Sequence, residues 1–292
     1  MTPKKNSYAL ACLVVFFAAC GPRVITVAVG RANAPVEMVA ASLGVSCALL
    51  SGGVIKCWGS NWVGALGLGD TSSRGDKPAD IGLPFPPVDL GTEKKAVSVH
   101  AAGTYIGPDD HACAILDDGQ LKCWGYNEFG ELGLGDTNNR GDGPGEMGDN
   151  LPAVNLGTAS VVKQMALGTS CACALLDGGK VKCWGFNTEG SLGIGDATNR
   201  GAQPADMGDN LPAVDLGTGL TAVSVSAGVE HVCAVLGTGQ LKCWGSNRLG
   251  ELGLGDTNNR GDVPGEMGDN LPAVDLGTGR SAVSVVAGFF HT

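Results

Sequence analysis

Eight cysteines stand in four pairs of identical spacing, and their chemistry depends on whether they bond to one another or to a metal. In each pair nine residues separate the two cysteines, and Trp-Gly follows the second. The pairs are Cys47 and Cys57, Cys113 and Cys123, Cys173 and Cys183, and Cys233 and Cys243. Zinc sites usually have cysteines two to four residues apart, whereas even pairing at constant spacing is typical of disulfides in exported proteins. We therefore predict four disulfides, each local to one repeat.

Cys171 is the odd cysteine of the repeats. It stands at the place where two other copies have His111 and His231. Cys171 and Cys173 are close enough in sequence for a metal site, but one free thiol beside a bonded pair lacks the further ligands that zinc needs. The sequence therefore predicts a free thiol at Cys171 and no metal site.

The loop that starts at Asp136 resembles the beginning of a calcium-binding loop. Asp136, Asn138 and Gly141 fit its first, third and sixth positions, but Arg140 takes a ligand position and Met147 stands where the bidentate glutamate belongs. A solvated acidic loop explains the pattern better. The sequence also lacks a nucleophile or phosphate-loop motif, and its histidines are His100, His111, His231 and His291. We predict no catalytic residue, no metal and no cofactor, and hence no enzyme.

The cysteine pairs lie in a repeat of 60 residues, and self-similarity at such a period indicates a repeat architecture. In the copy at 214–247, apolar and small polar residues alternate at 222–228, as in a half-buried strand. Strands at 232–236 and 240–244 flank a three-residue turn that ends in glycine, which suits a β-hairpin. Centring the hairpin on this turn places Cys233 opposite Cys243, close enough to bridge. With 214–216 as a further short strand, each unit has the four strands of a propeller blade.

These residues resemble the repeat of the regulator of chromosome condensation family. The shared pattern, His-x-Cys-Ala-Val-Leu-x-x-Gly-x-Leu-x-x-Trp-Gly-x-Asn-x-x-Gly-x-Leu-Gly-x-Gly, covers 231–255. It is strong again at 111–135, good at 171–195 and weaker at 45–69, where Val45 replaces the histidine. The resemblance implies an all-β fold, a β-propeller. The cysteines are absent from the family's eukaryotic pattern, and exported bacterial members commonly have them.

The motif residues are expected to build the blades. We expect Trp124, Trp184 and Trp244 to fill the space between neighbouring blades, because a large ring buries much apolar area there. Trp58 is the matching motif residue of the first copy. His111 and His231 are expected to hydrogen-bond neighbouring turns rather than to catalyse.

Residues 1–19 are predicted to be a signal peptide. Lys4 and Lys5 precede an apolar run from Tyr8 to Phe17, and two alanines precede Cys20. The run is too short to span a bilayer as a mature helix. The segment resembles a bacterial lipoprotein signal, which implies that Cys20 carries lipid and holds the protein at the outer membrane or cell surface. Cleavage near Ala19 and secretion is the alternative.

The chain is expected to form an incomplete propeller. Residues 20–35 are predicted to be a tether with a possible first strand, and 36–292 to hold four full blades and a partial one. The hairpins lie at 47–57, 113–123, 173–183 and 233–243, and the truncated last repeat, 256–292, has strands through Val283–Ala287 but no hairpin. We expect an open arc, as of a truncated gene product, rather than a compact ring of four to five blades. Its edge strands would be exposed.

The net negative charge of the chain restricts the kinds of partner that it can bind. The formal net charge is −10, which repels phosphate backbones and argues against nucleic acid. The sequence favours a lipid-anchored module that binds an unidentified protein or cell-surface ligand, with a basic surface favoured by electrostatic steering. The alternative is a secreted protein inhibitor of an enzyme, as in the β-lactamase inhibitory proteins built on this repeat. Guanine-nucleotide exchange, the family's namesake activity, is disfavoured by export and disulfides.

Overall fold

The structure is a computed structural model that describes residues 35–80, 86–103, 109–158 and 160–292. These residues form four three-stranded antiparallel sheets joined by long connections. The predicted signal peptide 1–19, Cys20 and the possible strand at 24–29 lie outside the described residues. Within the described part of the chain, no helix has the length and hydropathy of a membrane span.

The sheets follow one another in the chain, and each uses consecutive strands. The first contains β1 (Val36–Ala41), β2 (Val45–Leu50) and β3 (Val54–Gly59); the second contains β4 (Ala96–Ala102), β5 (His111–Leu116) and β6 (Leu121–Gly125). The third contains β7 (Val162–Leu167), β8 (Cys171–Leu176) and β9 (Val181–Gly185); the fourth contains β10 (Ala222–Ala227), β11 (His231–Leu236) and β12 (Leu241–Gly245). One-turn 3-10 helices occur at Pro78–Asp80, Gly148–Asn150, Asp177–Gly179, Pro204–Asp206, Gly208–Asn210 and Gly268–Asn270.

The hairpin register agrees with the register that the sequence predicts. In the fourth sheet Cys233 lies directly opposite Cys243 on the neighbouring strand, and the other three sheets repeat this pairing. Disulfides join the four opposed pairs, with Cα atoms 4.0–4.1 Å apart. The all-β blade arrangement predicted from the repeat is therefore confirmed.

The prediction of a fourth strand in each unit is wrong. Residues 214–216 are extended but form no ladder. Val214 N–H donates to the Val181 carbonyl, whereas the carbonyl of Asp215 accepts from Gly268 N–H and that of Leu216 from the Lys242 ammonium. Because the backbone groups of this segment bind three different elements, they cannot form the regular bonds of a strand.

Apolar cores between neighbouring sheets hold the repeats together. β4 packs beside β1 and β2, and β10 packs beside β7 and β8. Trp124, Trp184 and Trp244 lie fully buried in these cores. Each indole N–H donates to a backbone carbonyl of the preceding repeat, that of Ala65, Glu131 or Ser191, at 2.9–3.0 Å. The indole therefore bridges two repeats, as its position in the motif predicts.

The end of the described chain lies against the fourth sheet. Ala282 N–H donates to the Gly239 carbonyl, and Ala287 N–H donates to the Ser226 hydroxyl. The prediction of a strand at 283–287 is wrong, because no following hairpin in the described residues supplies a ladder partner. The hydrogen bonds that 282–292 makes with other described elements are with this fourth repeat.

Candidate interaction face

One short turn, which follows each third strand, carries different side chains from repeat to repeat. We call 60–63, 126–129, 186–189 and 246–249 the variable turns. By contrast, the connections 130–157 and 250–277 differ at only two positions, Gly143 against Val263 and Asn155 against Asp275. A repeat protein recognises a partner where its modules differ, since the identical positions build the scaffold. The variable turns are therefore the candidate interaction face.

A buried asparagine fixes each variable turn. Asn127 is fully buried, and its side-chain carbonyl accepts from Leu132 N–H at 2.9 Å. Its amide group donates to the carbonyls of Asp136 and Asn138, both at 2.9 Å. Matching bonds surround the buried asparagines 61, 187 and 247. A shared scaffold thus presents different side chains at one place in every repeat.

The loop that resembles a calcium site closes on itself. The Arg140 guanidinium donates to one Asp136 carboxylate oxygen at 2.6 Å, and Asn138 N–H donates to the other at 2.9 Å. The same arginine–aspartate pair recurs in the other three repeats. Among the residues that the structure describes, no group of three or more His, Cys, Asp or Glu side chains is arranged to hold a metal. This acidic connection is therefore scaffold that supports the turn.

Aromatic side chains of adjacent variable turns touch. The rings of Phe129 and Phe186 are 5.0 Å apart between centroids, and Tyr126 stands edge-on to Phe129 at 6.4 Å. The Tyr126 hydroxyl donates to Glu128 at 2.6 Å. Burial and the nearby Glu128 carboxylate raise the pKa of Tyr126, so the phenol remains a neutral donor. The second and third turns thus form one half-buried aromatic surface edged by a carboxylate.

The outer turns add exposed apolar groups and a charge pair. Trp62 is 69% exposed and Leu249 is 73% exposed. Arg248 donates to Glu189 of the preceding turn at 2.5 Å, and Asn259 also donates to Glu189 at 2.6 Å. Large exposed apolar side chains mark interaction surfaces when they belong to one continuous feature.

The motif histidines are buried behind this scaffold. Burial lowers the pKa of His111 to about 4, so its ring is neutral at physiological pH. Its Nδ1 lies 3.3 Å from the Asp109 carbonyl, and its buried Nε2 has no hydrogen-bond partner. The His231 Nε2 lies 3.1 Å from the Thr292 hydroxyl. For His111 the residue that matches Thr292 is Ala172, which has no hydroxyl to offer. Both imidazoles are therefore buried within the fold.

The free thiol of Cys171 is also buried. Burial raises its pKa to about 12, and a hydrogen bond with Ser191 opposes that shift only in part. The thiolate is the reactive form, so the folded protein holds Cys171 as an unreactive thiol.

A lysine in each of three sheets ties the connections to the blade, and the sequence analysis gave these residues no role. The Lys122 ammonium donates to the carbonyls of Leu90 and Gly148, both at 2.8 Å. Lys182 and Lys242 make the matching bonds. Burial lowers the pKa of all three. The lysine that recurs before each second cysteine could have indicated this role. Sequence alone does not identify the partners, because the two carbonyls that Lys122 binds lie 26 and 32 residues away.

Glu131 is a buried carboxyl group beneath the aromatic turns. One of its oxygens accepts from Phe129 N–H at 2.9 Å, and the other has no hydrogen-bond partner. Burial raises its pKa to about 7, and the nearby negative charges of Glu128 and Asp109 add to the shift. Between about pH 4.5 and about pH 7 the folded protein therefore holds a proton here that the unfolded chain has already released.

We predict that Glu131→Gln removes part of the protein's pH dependence of stability. The folded pKa exceeds the usual value, so this group's stabilising contribution is full at acidic pH. It falls as the pH rises from about 4.5 to about 7. Across that window the free energy of unfolding of the variant should rise by on the order of 1–3 kcal/mol relative to that of the wild type. Urea unfolding at several pH values measures the difference, and Glu251→Gln, at the matching position of the last sheet, is the control. Parallel curves for wild type and Glu131→Gln would refute the assignment.

The four blade-like sheets, with their recurring scaffold bonds and varied turns, define a β-propeller-type repeat protein. A family model described as the regulator of chromosome condensation (RCC1) repeat matches residues 107–131, 162–191 and 222–251, and a second matches 178–235. The chain therefore carries RCC1 repeats over these residues.

Known proteins of this class are similar over most of the chain. The ultraviolet-B receptor UVR8 of Arabidopsis thaliana is 31% identical over 261 residues, which are 88% of this chain and 50% of the receptor. The chain thus spans about half the length of this relative. Human WBSCR16 superposes with a TM-score of 0.64 at 20% identity, covering 88% of this chain and 56% of that protein. Yeast RCC1 (Prp20), solved bound to Kap60, superposes with a TM-score of 0.55 at 20% identity. The match covers 88% of this chain and 53% of the yeast protein. The two structures establish the fold alone.

Proposed function

We propose that this protein is an exported, lipid-anchored module that binds a protein partner through the variable turns. The observation that carries the proposal is the contrast within the repeat. The same buried asparagine bonds hold the turn in every copy, while the turns carry Trp62, the Phe129–Phe186 pair and Leu249. Tryptophan, the residue type of Trp62, is among those that most often supply the binding energy where proteins meet.

The partner surface is proposed to be basic with apolar groups. Glu128 accepts from the Tyr126 hydroxyl, Glu189 lies in the next variable turn, and the chain's net charge of −10 attracts a basic protein at long range. Arg248 neutralises one of these two carboxylates, which leaves Glu128 as the charged contact beside Tyr126.

Export and anchoring form the second part of the proposal. Disulfides persist in oxidising compartments, and four of them fit a protein that leaves the cytoplasm. The ordered basic, apolar and small-residue zones before Cys20 support a lipoprotein signal. The proposed location is the outer membrane or the cell surface, with lipid on Cys20.

Site-specific photocrosslinking tests the binding face. A photoreactive amino acid replaces Trp62 or Leu249 in the source cell, and a third variant carries it at Val223, which is exposed but lies in β10 outside the turns. We expect the same partner to be captured from positions 62 and 249 and not from 223. Capture from position 223 alone would contradict the proposal.

Metabolic labelling with a fatty acid in the same cells should tag the wild type and not Cys20→Ser; equal labelling would refute the anchor.

A secreted enzyme inhibitor is the second candidate, and the concentration of aromatic side chains in the turns favours it. In that case the protein captured from position 62 is an enzyme whose activity falls in proportion to added chain. We do not propose guanine-nucleotide exchange, because the residues that match the family pattern are those that build the blades.

A further inference from the structure

Two positions of the repeat, 20 residues apart in the chain, change together from copy to copy. Their side chains are apolar in the first copy, a thiol with a hydroxyl in the third, and an imidazole with a carboxyl group in the second and fourth. The four pairs are Val45 and Ala65, His111 and Glu131, Cys171 and Ser191, and His231 and Glu251. Matched exchange of this kind indicates side chains that contact each other.

The structure places the two positions side by side. In the third copy the Cys171 thiol hydrogen-bonds with Ser191. In the fourth copy the Thr292 hydroxyl lies 3.1 Å from His231 Nε2 and donates to the Glu251 carbonyl at 2.9 Å, so one oxygen bridges the two positions. Burial lowers the pKa of His231, and the charge of Glu251 opposes that shift. The two side chains therefore act on each other in both copies.

The second copy leaves two complementary atoms unsatisfied. His111 and Glu131 are fully buried, and in the part of the chain that the structure describes His111 Nε2 and Glu131 Oε1 have no hydrogen-bond partner. His111 Nδ1 lies 3.3 Å from the Asp109 carbonyl, and the other Glu131 oxygen accepts from Phe129 N–H at 2.9 Å. Because a carbonyl can only accept, Nδ1 carries the ring proton and Nε2 keeps a lone pair. A protonated carboxyl group has one O–H to donate.

We propose that His111 and Glu131 share one proton, with Glu131 Oε1–H as the donor and His111 Nε2 as the acceptor. This bond satisfies both buried atoms at once, and each of them costs free energy when left without a partner. Ala172 stands where the fourth copy has the bridging Thr292 hydroxyl. One water bound at that place completes the bond in the second copy.

The surroundings keep this proton on the pair at weakly acidic pH. Burial raises the pKa of Glu131 to about 7, and the negative charges of Glu128 and Asp109 add to the shift. Burial also lowers the pKa of the imidazole to about 4, so the ring does not compete for the proton. Glu131 also acts on the Tyr126 phenol and the Cys171 thiol, which both stay neutral because burial raises their pKa values. The pair is therefore uncharged until the pH rises through about 7, when the proton leaves to solvent.

Loss of the proton acts on the second variable turn. The Glu131 carboxyl group holds Phe129 N–H, and the Phe129 ring packs on Phe186 with centroids 5.0 Å apart. A buried carboxylate without a full set of donors is costly, and the cost is relieved when the turn opens and the group meets water. The pair is thus a pH-sensitive support of this turn. It requires no partner, so it is independent of the binding proposed above.

Nuclear magnetic resonance of the folded chain tests the shared proton. The parent chain carries Cys20→Ser and is prepared without the signal peptide. We expect nitrogen-15 shifts that show the Nδ1–H tautomer of His111 and a hydrogen-bonded Nε2. The Phe129 amide should titrate with a midpoint at or above about pH 7, and its protection from hydrogen exchange should fall above that midpoint, after correction for base catalysis. Both responses should vanish in Glu131→Gln.

His111→Val separates a shared proton from burial alone. Loss of the acceptor should lower the Phe129 midpoint by about one pH unit, whereas a burial effect alone would leave the midpoint unchanged or raise it. His231→Val, in the fourth copy, is the control and should not move the midpoint. An Nε2–H tautomer in the parent, or an unchanged or raised midpoint in His111→Val, would overturn the proposal. The tautomer is measured on the parent chain, so it decides the question even where a variant does not fold.

A double-mutant cycle tests the same bond through stability. His111→Val with Glu131→Ala reproduces the pair of the first copy, where Val45 and Ala65 are buried in one apolar core. At pH 6 the double variant should lose less of its urea midpoint than the two single variants lose together. At pH 9 this difference should shrink, because the proton has left, whereas a coupling through packing alone would persist. Additive losses at pH 6, or a coupling equal at both pH values, would contradict the shared proton.

Discussion

Replacement of Trp184 by alanine is expected to lower the free energy of unfolding by about 3–5 kcal/mol. The ring is fully buried between the second and third sheets, and its N–H donates to the Glu131 carbonyl at 2.9 Å. Its removal leaves a cavity that the backbone at Gly133 and Gly201, both at positive φ, is poorly placed to fill. The buried Glu131 carbonyl also loses its indole donor, which adds to the cost.

Urea unfolding followed by circular dichroism measures this effect. Trp62→Ala is the matched control, because this exposed side chain should contribute within about 0.5 kcal/mol. Trp58→Ala should fall between the two, since its side chain is only partly buried. A loss below about 1 kcal/mol at Trp184 would mean that the indole does not join the sheets.

The repeat made the hairpins predictable. Alternation at period two and a three-residue turn together fix which residues face each other, and Cys233 opposes Cys243 as a consequence. The same logic placed Trp184 at the end of a strand. The sequence could not show that Val214–Leu216 fails to form a strand, because its carbonyls bind Gly268 N–H and the Lys242 ammonium, groups far away in the chain.

The candidate interaction face could be predicted in part from the sequence. Comparison of copies locates the variable turns, since 126–129 and 186–189 differ while Asn127 and Asn187 stay the same. What it could not supply is the contact between turns, such as Phe129 on Phe186 or Arg248 on Glu189. These contacts depend on the spacing and angle of neighbouring sheets, which in turn depend on how the buried tryptophans pack between them.

Removal of one disulfide by the double replacement Cys173→Ala with Cys183→Ala is expected to cost about 2–5 kcal/mol. The bond closes a short hairpin, and loop-closure entropy alone gives roughly 2–3 kcal/mol. Both sulfurs are fully buried, so the cavity left behind adds to the loss. Cys171 cannot replace the bond in the folded state, because burial raises its pKa to about 12 and keeps it protonated.

Urea unfolding with and without reductant separates the bond from packing. Reductant should destabilise wild type strongly, and it should affect the double variant less because one bond is already absent. Cys171→Ala is the control, since it removes a buried thiol and no bond. Thiol titration of the denatured, oxidised Cys20→Ser chain, prepared without the signal peptide, should detect only Cys171. Titration of all the paired cysteines, with no effect of reductant on unfolding, would show that the opposed sulfurs pack without bonding, and the argument for an oxidising compartment would lose its structural support.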